Sequence, residues 1–424
     1  MNKVFRVACF LSAIVGLSSL SSCDSNNKTN EISTGARKAN LKLPGGFSAT
    51  IVADSLGSLR HLALNNNGDI YVNLNTLKDG KGLYLLSDTD KNGSIDKKTG
   101  FADYPGTGII IKNGYLYTAT NSGVLRYKLN EKGEITPEQP EVIVKGLVDK
   151  GRDNSKSIAI DDHDNLYVTV GSYSDACREE GSGKGIPGCP LLDSVAGVWE
   201  FKTNKTDQSY SDAVHYARGL KNAVGLAWNS NTNSLFATQH GRGQFDDKFP
   251  QFYTAKQSLE LPAETLYELH EGSDAGWPFI YYDQFQKKKI LAPEYGGDGK
   301  MAGDDKFIDP VAAFPAHLAP DDLLFYTGKM FPERYKNGAF IAFHGKSPEL
   351  KKGYLVAFVP FKNGKPSGEW EIFADNFAGT SMEKEGSAIH YRPTGLAQGP
   401  DGSLYVSDDM NGTIFRIIYS GKKI

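Results

Sequence analysis

The sequence predicts an all-β protein, a six-bladed β-propeller, and two features of the chain support this fold class. The first is composition: the 424 residues include 46 Gly, 21 Tyr and 22 Phe, which favours strands and tight turns over helices. The second is a pattern that occurs six times, in which a short apolar run, a polar turn and a strand with an aromatic residue follow one another. Amphipathic stretches between the copies are no longer than about two helical turns, which argues against a parallel α/β fold.

Each copy of the pattern has the signature of a β-hairpin, because apolar and polar residues alternate on both sides of a turn rich in Asn, Asp and Gly. The copies are centred on six aromatic residues: Tyr71, Tyr117, Tyr167, Phe236, Phe340 and Tyr405. The five steps between them average about 67 residues, whereas a four-stranded blade needs roughly 40 to 50. Six blades with long loops therefore account for the whole chain.

Two segments bear on how the ring closes and how many blades it holds. The two chain ends are expected to share the last blade, with Phe47–Asp54 pairing against Gly412–Ser420. A seventh blade around Thr265–Gln284 is an alternative, since the longest step between copies falls there. We favour a long excursion instead, because Glu294–Lys306 has a loop-like composition.

Composition and charge exclude several classes of protein. With 39% hydrophobic and 23% charged residues, the chain is typical of globular proteins, and not of disordered, collagen-like, coiled-coil or multi-span membrane proteins. The 47 basic and 50 acidic residues give a formal net charge of −3. A chain this close to neutrality has no bulk electrostatic attraction for nucleic acid, so we expect no nucleic-acid partner.

The N-terminus predicts export and membrane attachment. Residues 1–22 combine two basic residues, an apolar run and small residues, as a secretory signal peptide does. The tetrapeptide LSSC at 20–23 resembles a bacterial lipobox, so Cys23 is expected to carry lipid; an ordinary export signal with an incidental Cys is the alternative. Residues 23–42 are interpreted as a flexible tether, followed by one propeller domain over 43–424. We therefore expect a membrane-anchored lipoprotein on the periplasmic or cell-surface side.

Two cysteines are left for the folded domain, because Cys9 belongs to the signal peptide and Cys23 to the lipobox. Cys177 and Cys189 lie twelve positions apart in a Gly-rich stretch. In an oxidising compartment such a pair most often forms a disulfide that closes a loop. A two-cysteine metal or haem site is the alternative, although the sequence has no CxxCH motif and no nearby His pair to support it.

Five segments in the second half of the chain resemble those of one enzyme family. They are ARGLKNAVGLAW at 217–228, TQHGRGQFDD at 238–247, GWPFIYY at 276–282, the stretch at 319–346, and YRPTGLAQGPDGSLYVSDDMNGTIFRI at 391–417. In that order they resemble the soluble PQQ-dependent glucose dehydrogenases and the L-sorbosone dehydrogenases, over about residues 43–417. The resemblance implies a six-bladed propeller that holds pyrroloquinoline quinone (PQQ) and Ca²⁺ over its channel mouth. It also implies oxidation of a sugar or sugar aldehyde, with the redox acceptor left open.

The resemblance assigns roles to particular residues. PQQ carries three carboxylates, so its site needs Lys or Arg donors. The positions that match the family's cofactor-binding residues are Lys221, Asn222, Lys346, His390 and Arg392. Ca²⁺ takes oxygen ligands, often backbone carbonyls, and the matching carbonyls are those of Gly241 and Arg242. In this family Ca²⁺ is expected to polarise the quinone carbonyl that receives hydride.

The expected catalytic base departs from the family pattern. The family places a His shortly before its third blade motif, and the aligned residue here, ahead of SKSIAI at 155–160, is Asp153. A base must remove the substrate hydroxyl proton as hydride leaves. An isolated aspartate is a weak base, so Asp153 needs desolvation or a hydrogen-bonded partner. The alternative function is therefore a catalytically inactive propeller that binds a saccharide or a partner protein.

Other polar and aromatic residues have two interpretations. DTDKNGSID at 88–96 is similar to the first half of a Ca²⁺ loop, but Thr99 replaces Glu at the twelfth position, so a hairpin turn is favoured over a structural ion. Trp277 and Tyr281 are either packing residues or residues that stack a sugar. Four more are interpreted as hydrogen-bonding or turn residues at strand ends: His240, His344, Asp408 and Asp409.

Overall fold

Six sheets follow one another along the chain and form a six-bladed β-propeller, which confirms the predicted fold. The computed structural model describes residues 35–421 except 138, 244 and 381–387, and these form one compact unit. The predicted signal peptide at 1–22 and the predicted lipid-bearing Cys23 lie outside the described residues, so both stay predictions. Within the described ranges, no helix has the length and apolar character needed to span a bilayer.

The first strands of the chain belong to the last sheet, and the first two blades follow them. The N-terminal strands are β1 (Arg37–Lys38) and β2 (Phe47–Ala53). Blade 1 contains β3 (Leu59–Leu64), β4 (Ile70–Lys78), β5 (Lys81–Ser87) and β6 (Lys97–Phe101). Blade 2 contains β7 (Gly106–Lys112), β8 (Tyr115–Thr120), β9 (Val124–Lys128) and β10 (Glu141–Val144).

Blades 3 and 4 carry the longest insertions of the propeller. Blade 3 contains β11 (Ile158–Ile160), β12 (Asn165–Val170), β13 (Gly197–Lys202) and β14 (Val214–Arg218). Blade 4 begins with β15 (Leu226–Asn229) and β16 (Ser234–Gln239), followed by helices α1 (Phe245–Lys248) and α2 (Ala255–Glu260). Its other two strands are β17 (Glu264–Leu269) and β21 (Ala312–Phe314), and between them the chain forms β18 (Ser273–Asp274), β19 (Ile280–Asp283) and β20 (Lys288–Leu291).

Blades 5 and 6 complete the ring. Blade 5 contains β22 (Pro320–Phe325), β23 (Ala339–Ser347), β24 (Lys352–Val359), the small hairpin β25 (Phe361–Lys362) and β26 (Lys365–Pro366), and β27 (Glu371–Ala374). Blade 6 contains β28 (Pro393–Gln398), β29 (Leu404–Asp408) and β30 (Ile414–Tyr419). Four short 3₁₀ turns lie among the described residues, at Pro190–Asp193, Tyr210–Asp212, Pro293–Tyr295 and Glu333–Tyr335.

The ring closes by pairing the two ends of the chain. Strand β2 pairs antiparallel with β30, with Phe47 opposite Tyr419, which confirms the predicted closure. Strand β1 adds to the outer side of β2, and Ala39 is buried. The folded domain therefore begins before the predicted boundary at residue 43, and residues 35–42 do not behave as a tether. Backbone pairing needs no apolar side chains, which is why composition alone suggested a linker here.

The long segment of blade 4 is an excursion and not a seventh blade, as predicted. Strand β17 pairs with β16 and so belongs to blade 4. Strand β18 pairs in parallel with β14 of blade 3, whereas β19 and β20 form a hairpin of their own. The excursion thus lies against both blade 3 and blade 4.

The repeated aromatic residues mark the apolar cores of the blades. All six are buried, with exposures of 0 to 9%. Phe236 of blade 4, for example, meets Phe325 of blade 5 with ring centroids 4.9 Å apart. Phe47 packs edge-on against Phe331 and Phe373 in the same way, at 4.8 and 5.1 Å, where blades 5 and 6 meet. The spacing of the aromatic residues in the sequence is therefore the spacing of the blades.

The first strand of each blade lines the central channel. A cavity of about 440 Å³ follows these strands from His61 and Asp322, near their first residues, to Lys112 and Gln398, at or near their last. The loops that precede the first strands and the loops between the second and third strands must meet at the same mouth, because neighbouring strands in a blade are antiparallel. This mouth collects most of the candidate site residues.

Candidate functional site

Asp153, Lys221 and Asn222 meet at this mouth. Asp153 lies in the loop before β11 and the other two residues lie in the loop before β15, so the neighbouring blades 3 and 4 supply the cluster. Lys221 Nζ donates a hydrogen bond to Asp153 Oδ2 at 2.8 Å, and Asn222 Nδ2 lies 3.5 Å from Asp153 Oδ1. The Lys221 side chain is 6% exposed and that of Asp153 is 20% exposed. The predicted base and two predicted cofactor-binding residues are therefore in contact, and the carboxylate is still open to solvent.

The backbone at Asp153 is held in an uncommon conformation. Its φ is +46°, in the left-handed region that Asp tolerates better than most residues do. Gly171, directly after β12, presses against this loop: a Cβ there would lie 2.3 Å from the Asp153 carbonyl oxygen and 2.7 Å from Asn222 Oδ1. A larger residue at 171 would displace both, so this glycine allows the cluster to form.

Lys156 restrains the loop that carries Asp153. It was not predicted as a site residue. Its side chain is fully buried, and Nζ donates to the carbonyl oxygen of Asn154 at 2.7 Å. Burial lowers the pKa of the Lys156 ammonium to about 8, and the charge of Asp149 offsets this only in part. A buried ammonium bonded to the carbonyl beside Asp153 restrains the position of the predicted base.

Cys177 and Cys189 form a disulfide that closes a loop between β12 and β13. This loop brings Asp175 to the cluster, where its Oδ1 lies 3.3 Å from Arg152 Nη2 and 3.8 Å from Lys221 Nζ. Sequence analysis missed Asp175, because no motif marks a carboxylate in a Gly-rich loop. The backbone carbonyl of Asp175 accepts a hydrogen bond from Trp277 Nε1 at 3.0 Å.

Trp277 and Tyr281, which the sequence left as either packing or sugar-stacking residues, are both packing residues. Trp277 is 4% exposed and packs in one apolar cluster with the disulfide. Tyr281 is 5% exposed, and its hydroxyl lies 3.0 Å from that of Tyr253. Neither ring is exposed enough to stack a sugar in this conformation.

The predicted Ca²⁺-binding carbonyls lie directly beside Asn222. The His240 N–H donates to the Asn222 carbonyl oxygen at 2.9 Å, and the Gly241 N–H donates to Glu264 Oε2 at 2.8 Å. Burial raises the pKa of the Glu264 carboxyl, against the charge of His240 and the Gly241 hydrogen bond. The carbonyl oxygens of Gly241 and Arg242 accept no hydrogen bond from any residue that the structure describes. Adjacent carbonyls with free lone pairs are the kind of ligand that Ca²⁺ uses.

A buried carboxylate, Asp321, joins residues from blades on opposite sides of the channel. Its oxygens are 3.1 Å from Arg60 Nη1, 3.2 Å from His240 Nε2 and 3.8 Å from His344 Nδ1. Arg60 comes from blade 1 and His240 from blade 4, and these blades are opposite one another in a ring of six. We refer to Asp321, Arg60, His240 and His344 as the axial cluster.

The contacts of the axial cluster shift the pKa values of Asp321 and His240 in opposite directions. Burial opposes ionisation of Asp321, but the charges of His344 and Arg60 and the hydrogen bond from His240 outweigh it and hold the carboxyl pKa far below its usual range. Burial also disfavours the charged form of His240, yet the hydrogen bond and charge of Asp321 raise the pKa of this imidazole. His240 and His344 thus form structural hydrogen bonds, as predicted. They do so in one shared cluster at the mouth, and not at two separate strand ends.

Arg392 is joined to the axial cluster through Asp409. Its Nε and Nη2 each donate to the Asp409 carboxylate at 2.8 Å, and His344 Nε2 lies 3.0 Å from the same carboxylate. Burial raises the pKa of Asp409, but the hydrogen bonds from His344 and Arg392 lower it further than burial raises it. Asp408 accepts the backbone N–H groups of Arg392 and Met410 and so acts as a turn residue.

Two predicted cofactor-binding residues are not in contact with this network. Lys346 is exposed near the end of β23, two residues after His344, and has no ion pair among the described residues. His390 is exposed, and its ring covers Gly379, where a Cβ would lie 2.5 Å from Nδ1. The acidic turn at 88–96 links β5 to β6, so it lies on the face opposite the mouth.

The residues at the mouth suit a ligand with several carboxylates. Lys221 and Arg392 already pair with Asp153 and Asp409, but an ammonium has three donor hydrogens and a guanidinium has five, so donors are left over. Asn222 Oδ1 is buried and has no hydrogen-bond partner among the described residues. Because buried polar atoms are normally satisfied, this atom points to a partner supplied by a ligand or water.

Comparison with known proteins identifies the family and supports the fold of this chain. The TrAA12-like family model matches residues 41–420. A pyrroloquinoline quinone-dependent sugar dehydrogenase of Hypocrea jecorina is 20% identical over 399 residues, covering 87% of each chain. The calcium structure of a Trichoderma reesei family AA12 enzyme superposes with a TM-score of 0.72 at 17% identity, over 92% of this chain and 100% of that chain. The holo PQQ domain of Coprinopsis cinerea pyranose dehydrogenase gives 0.70 at 16% identity, over 89% and 97%.

Proposed function

Because this chain belongs to the TrAA12-like family, within the superfamily of soluble PQQ-dependent sugar dehydrogenases, we propose that it is a PQQ- and Ca²⁺-dependent dehydrogenase of a sugar or sugar aldehyde. One observation carries the proposal: Asp153 contacts Lys221 and Asn222 beside the free carbonyls of Gly241 and Arg242. The names of the relatives and structural neighbours support PQQ as cofactor and a sugar as substrate.

We propose separate roles for the residues that would hold the two groups. Lys221 and Arg392 would hold PQQ carboxylates, and Asn222 would supply amide hydrogen bonds. The carbonyls of Gly241 and Arg242 would bind Ca²⁺. When bound, PQQ supplies the hydride acceptor and Ca²⁺ polarises it. We also propose that Lys346 and His390 contact the cofactor from outside the network of Arg392 and Asp409.

Asp153 would take the substrate hydroxyl proton. Its Oδ2 accepts the 2.8 Å hydrogen bond from Lys221, whereas Oδ1 has only the long 3.5 Å contact with Asn222 Nδ2, so Oδ1 is the oxygen proposed to accept the proton. Lys221, Gly171 and Lys156 restrain the carboxylate, which keeps the base in one place while the substrate binds. In this proposal Asp153 takes the place of the family's histidine as the proton acceptor, with Lys221 as its hydrogen-bonded partner.

The lipid anchor belongs to the proposal on sequence grounds alone. With Cys23 lipidated, the enzyme would be attached to a membrane and would face the periplasm or the cell surface. A disulfide in the mouth loop is consistent with such an oxidising compartment.

Reconstitution tests the proposed activity. Purified protein loaded with PQQ and Ca²⁺ is expected to reduce an artificial electron-acceptor dye with at least one aldose or sugar aldehyde, and to reduce none when PQQ is omitted. The measurement is the initial rate of dye bleaching over a panel of sugars. Bound PQQ without turnover on any of them would favour the alternative, a catalytically inactive propeller that binds saccharide or a partner protein.

A further inference from the structure

A second buried ionic network lies next to the proposed Ca²⁺-binding carbonyls. The Glu294 carboxylate has 0% side-chain exposure, and its two oxygens bind two arginines. Oε1 lies 2.9 Å from Arg178 Nε, and Oε2 lies 2.5 Å from Arg242 Nη1. Arg242 is 4% exposed, whereas Arg178 is 21% exposed. We refer to these three residues as the Glu294 bridge.

The Glu294 bridge joins three segments that are far apart in the sequence. Arg178 follows Cys177 in the disulfide-closed loop, Arg242 follows β16, and Glu294 lies in the 3₁₀ turn after β20. Further bonds support the same junction: the Gly185 N–H donates to the Glu294 carbonyl at 2.9 Å, and the Tyr295 hydroxyl donates to the Cys177 carbonyl at 3.2 Å. The excursion of blade 4 thus clamps the disulfide loop to the loop of Gly241 and Arg242.

Several polar atoms of the Gly241–Arg242 segment have no hydrogen-bond partner among the described residues: the two carbonyl oxygens, and Nε and Nη2 of Arg242. The Gly241 N–H is bound by Glu264, and the Arg242 guanidinium is bound by Glu294 and packs over the Phe245 ring at 4.5 Å. The two carbonyl oxygens are the groups that accept nothing from the described residues. Holding the amide on one side and the side chain on the other restrains the backbone that carries these carbonyls.

Stability alone does not account for such a network. Taking three charges out of water is costly, and apolar residues of similar volume often replace a buried Arg–Glu–Arg group with no loss of stability. A network of this kind is better suited to specifying one conformation. In metal sites, residues that orient the ligands commonly change the metal affinity when they are replaced.

We propose that Glu294 is a positioning residue for cation binding: through Arg242 it orients the carbonyls of Gly241 and Arg242, and through Arg178 it makes that orientation depend on the disulfide loop. This inference rests on the proposed function, because it assumes that these carbonyls bind Ca²⁺. In this proposal Glu294 acts through the two arginines and not by contact with substrate or cofactor.

Calcium titration of the full-length protein without PQQ tests the proposal. Glu294→Gln keeps the shape of the side chain but removes its charge, and it is expected to weaken Ca²⁺ affinity about 10- to 100-fold by isothermal calorimetry. The matched control is Lys289→Met, which removes a buried ammonium from the same excursion, where Nζ donates to the Phe307 carbonyl at 2.6 Å. Its Ca²⁺ affinity is expected to equal that of the wild type. Circular dichroism checks that each variant is folded.

The outcomes separate this inference from the proposed function. Wild-type protein that binds no Ca²⁺ would overturn both the proposed cation site and the role of Glu294. Wild-type binding with unchanged affinity in Glu294→Gln, or with an equal loss in Lys289→Met, would overturn only the role of Glu294. If Glu294→Gln does not fold, Arg178→Gln replaces it, since Arg178 is partly exposed and the Arg242 pair is kept. That variant is expected to weaken Ca²⁺ binding by a smaller factor, and unchanged affinity in it would equally overturn the proposal.

Discussion

Asp153→Asn is expected to lower kcat for sugar oxidation by about 10²- to 10⁴-fold, the usual contribution of a general base. Asparagine has the size of aspartate and its amide oxygen can still accept the hydrogen bond from Lys221, but it cannot take up a proton. PQQ affinity should therefore stay nearly unchanged while turnover is lost. Dye-reduction kinetics with the reconstituted enzyme, together with a PQQ titration of each protein, measure the two quantities separately.

The control for this prediction is the second carboxylate of the cluster. Asp175 also approaches Lys221, but at 3.8 Å, and it pairs with Arg152. Asp175→Asn should reduce kcat far less than Asp153→Asn. Equal turnover in wild type and Asp153→Asn would remove Asp153 from the mechanism, and a larger loss in Asp175→Asn would transfer the role to Asp175.

Asp321→Asn is expected to destabilise the folded protein by about 3 to 5 kcal/mol, because it leaves the buried Arg60 guanidinium without its counter-charge. Arg60, His240 and His344 converge on this one carboxylate, and Arg60 is itself only 8% exposed. A loss of this size is a large part of the stability of most domains. Urea denaturation followed by tryptophan fluorescence measures it, and a loss below about 1 kcal/mol would contradict the account of the axial cluster.

The pH dependence of this loss follows from the pKa directions. The pKa of Asp321 is lowered by folding, so its stabilisation is present above about pH 4 and is lost as the pH falls through its folded pKa. The pKa of His240 is raised, so its contribution is present below about pH 6.5 and is lost as the pH rises through its folded pKa. The difference between wild type and Asp321→Asn should therefore be largest from about pH 4 to 6.5.

A surface ion pair provides the control for the axial cluster. Asp54 pairs with Arg37, and the two side chains are 46% and 65% exposed. Asp54→Asn should cost less than about 1 kcal/mol, since solvent screens the pair.

The blades could be predicted from the sequence because their signal is local. Tyr71, Tyr117 and the four aromatic residues that match them are each buried in a core, so the repeat in the sequence reflects a repeat in packing. Closure was predictable for the same reason, since β2 alternates like any other strand. The start of the domain was misplaced, because β1 is held by backbone pairing and has exposed, polar side chains.

Only those site residues that lie within or beside the motifs of one family could be predicted from the sequence. Those motifs located Asp153, Lys221 and Asn222, which the fold brings together from blades 3 and 4. They did not reveal the axial cluster, because Arg60 and Asp321 are 261 positions apart and only ring closure makes them neighbours. Glu294 was hidden in a stretch interpreted as loop, where nothing local distinguishes a buried bridging carboxylate from an exposed one.

The most direct test is the structure of the protein crystallised with PQQ and Ca²⁺. We expect one quinone per chain, with its carboxylates on Lys221 and Arg392 and an amide contact from Asn222, and one cation on the carbonyls of Gly241 and Arg242. A quinone bound away from the mouth, or no binding at tens of micromolar PQQ with Ca²⁺ present, would contradict the proposed function. The six-bladed fold would not be affected by either result.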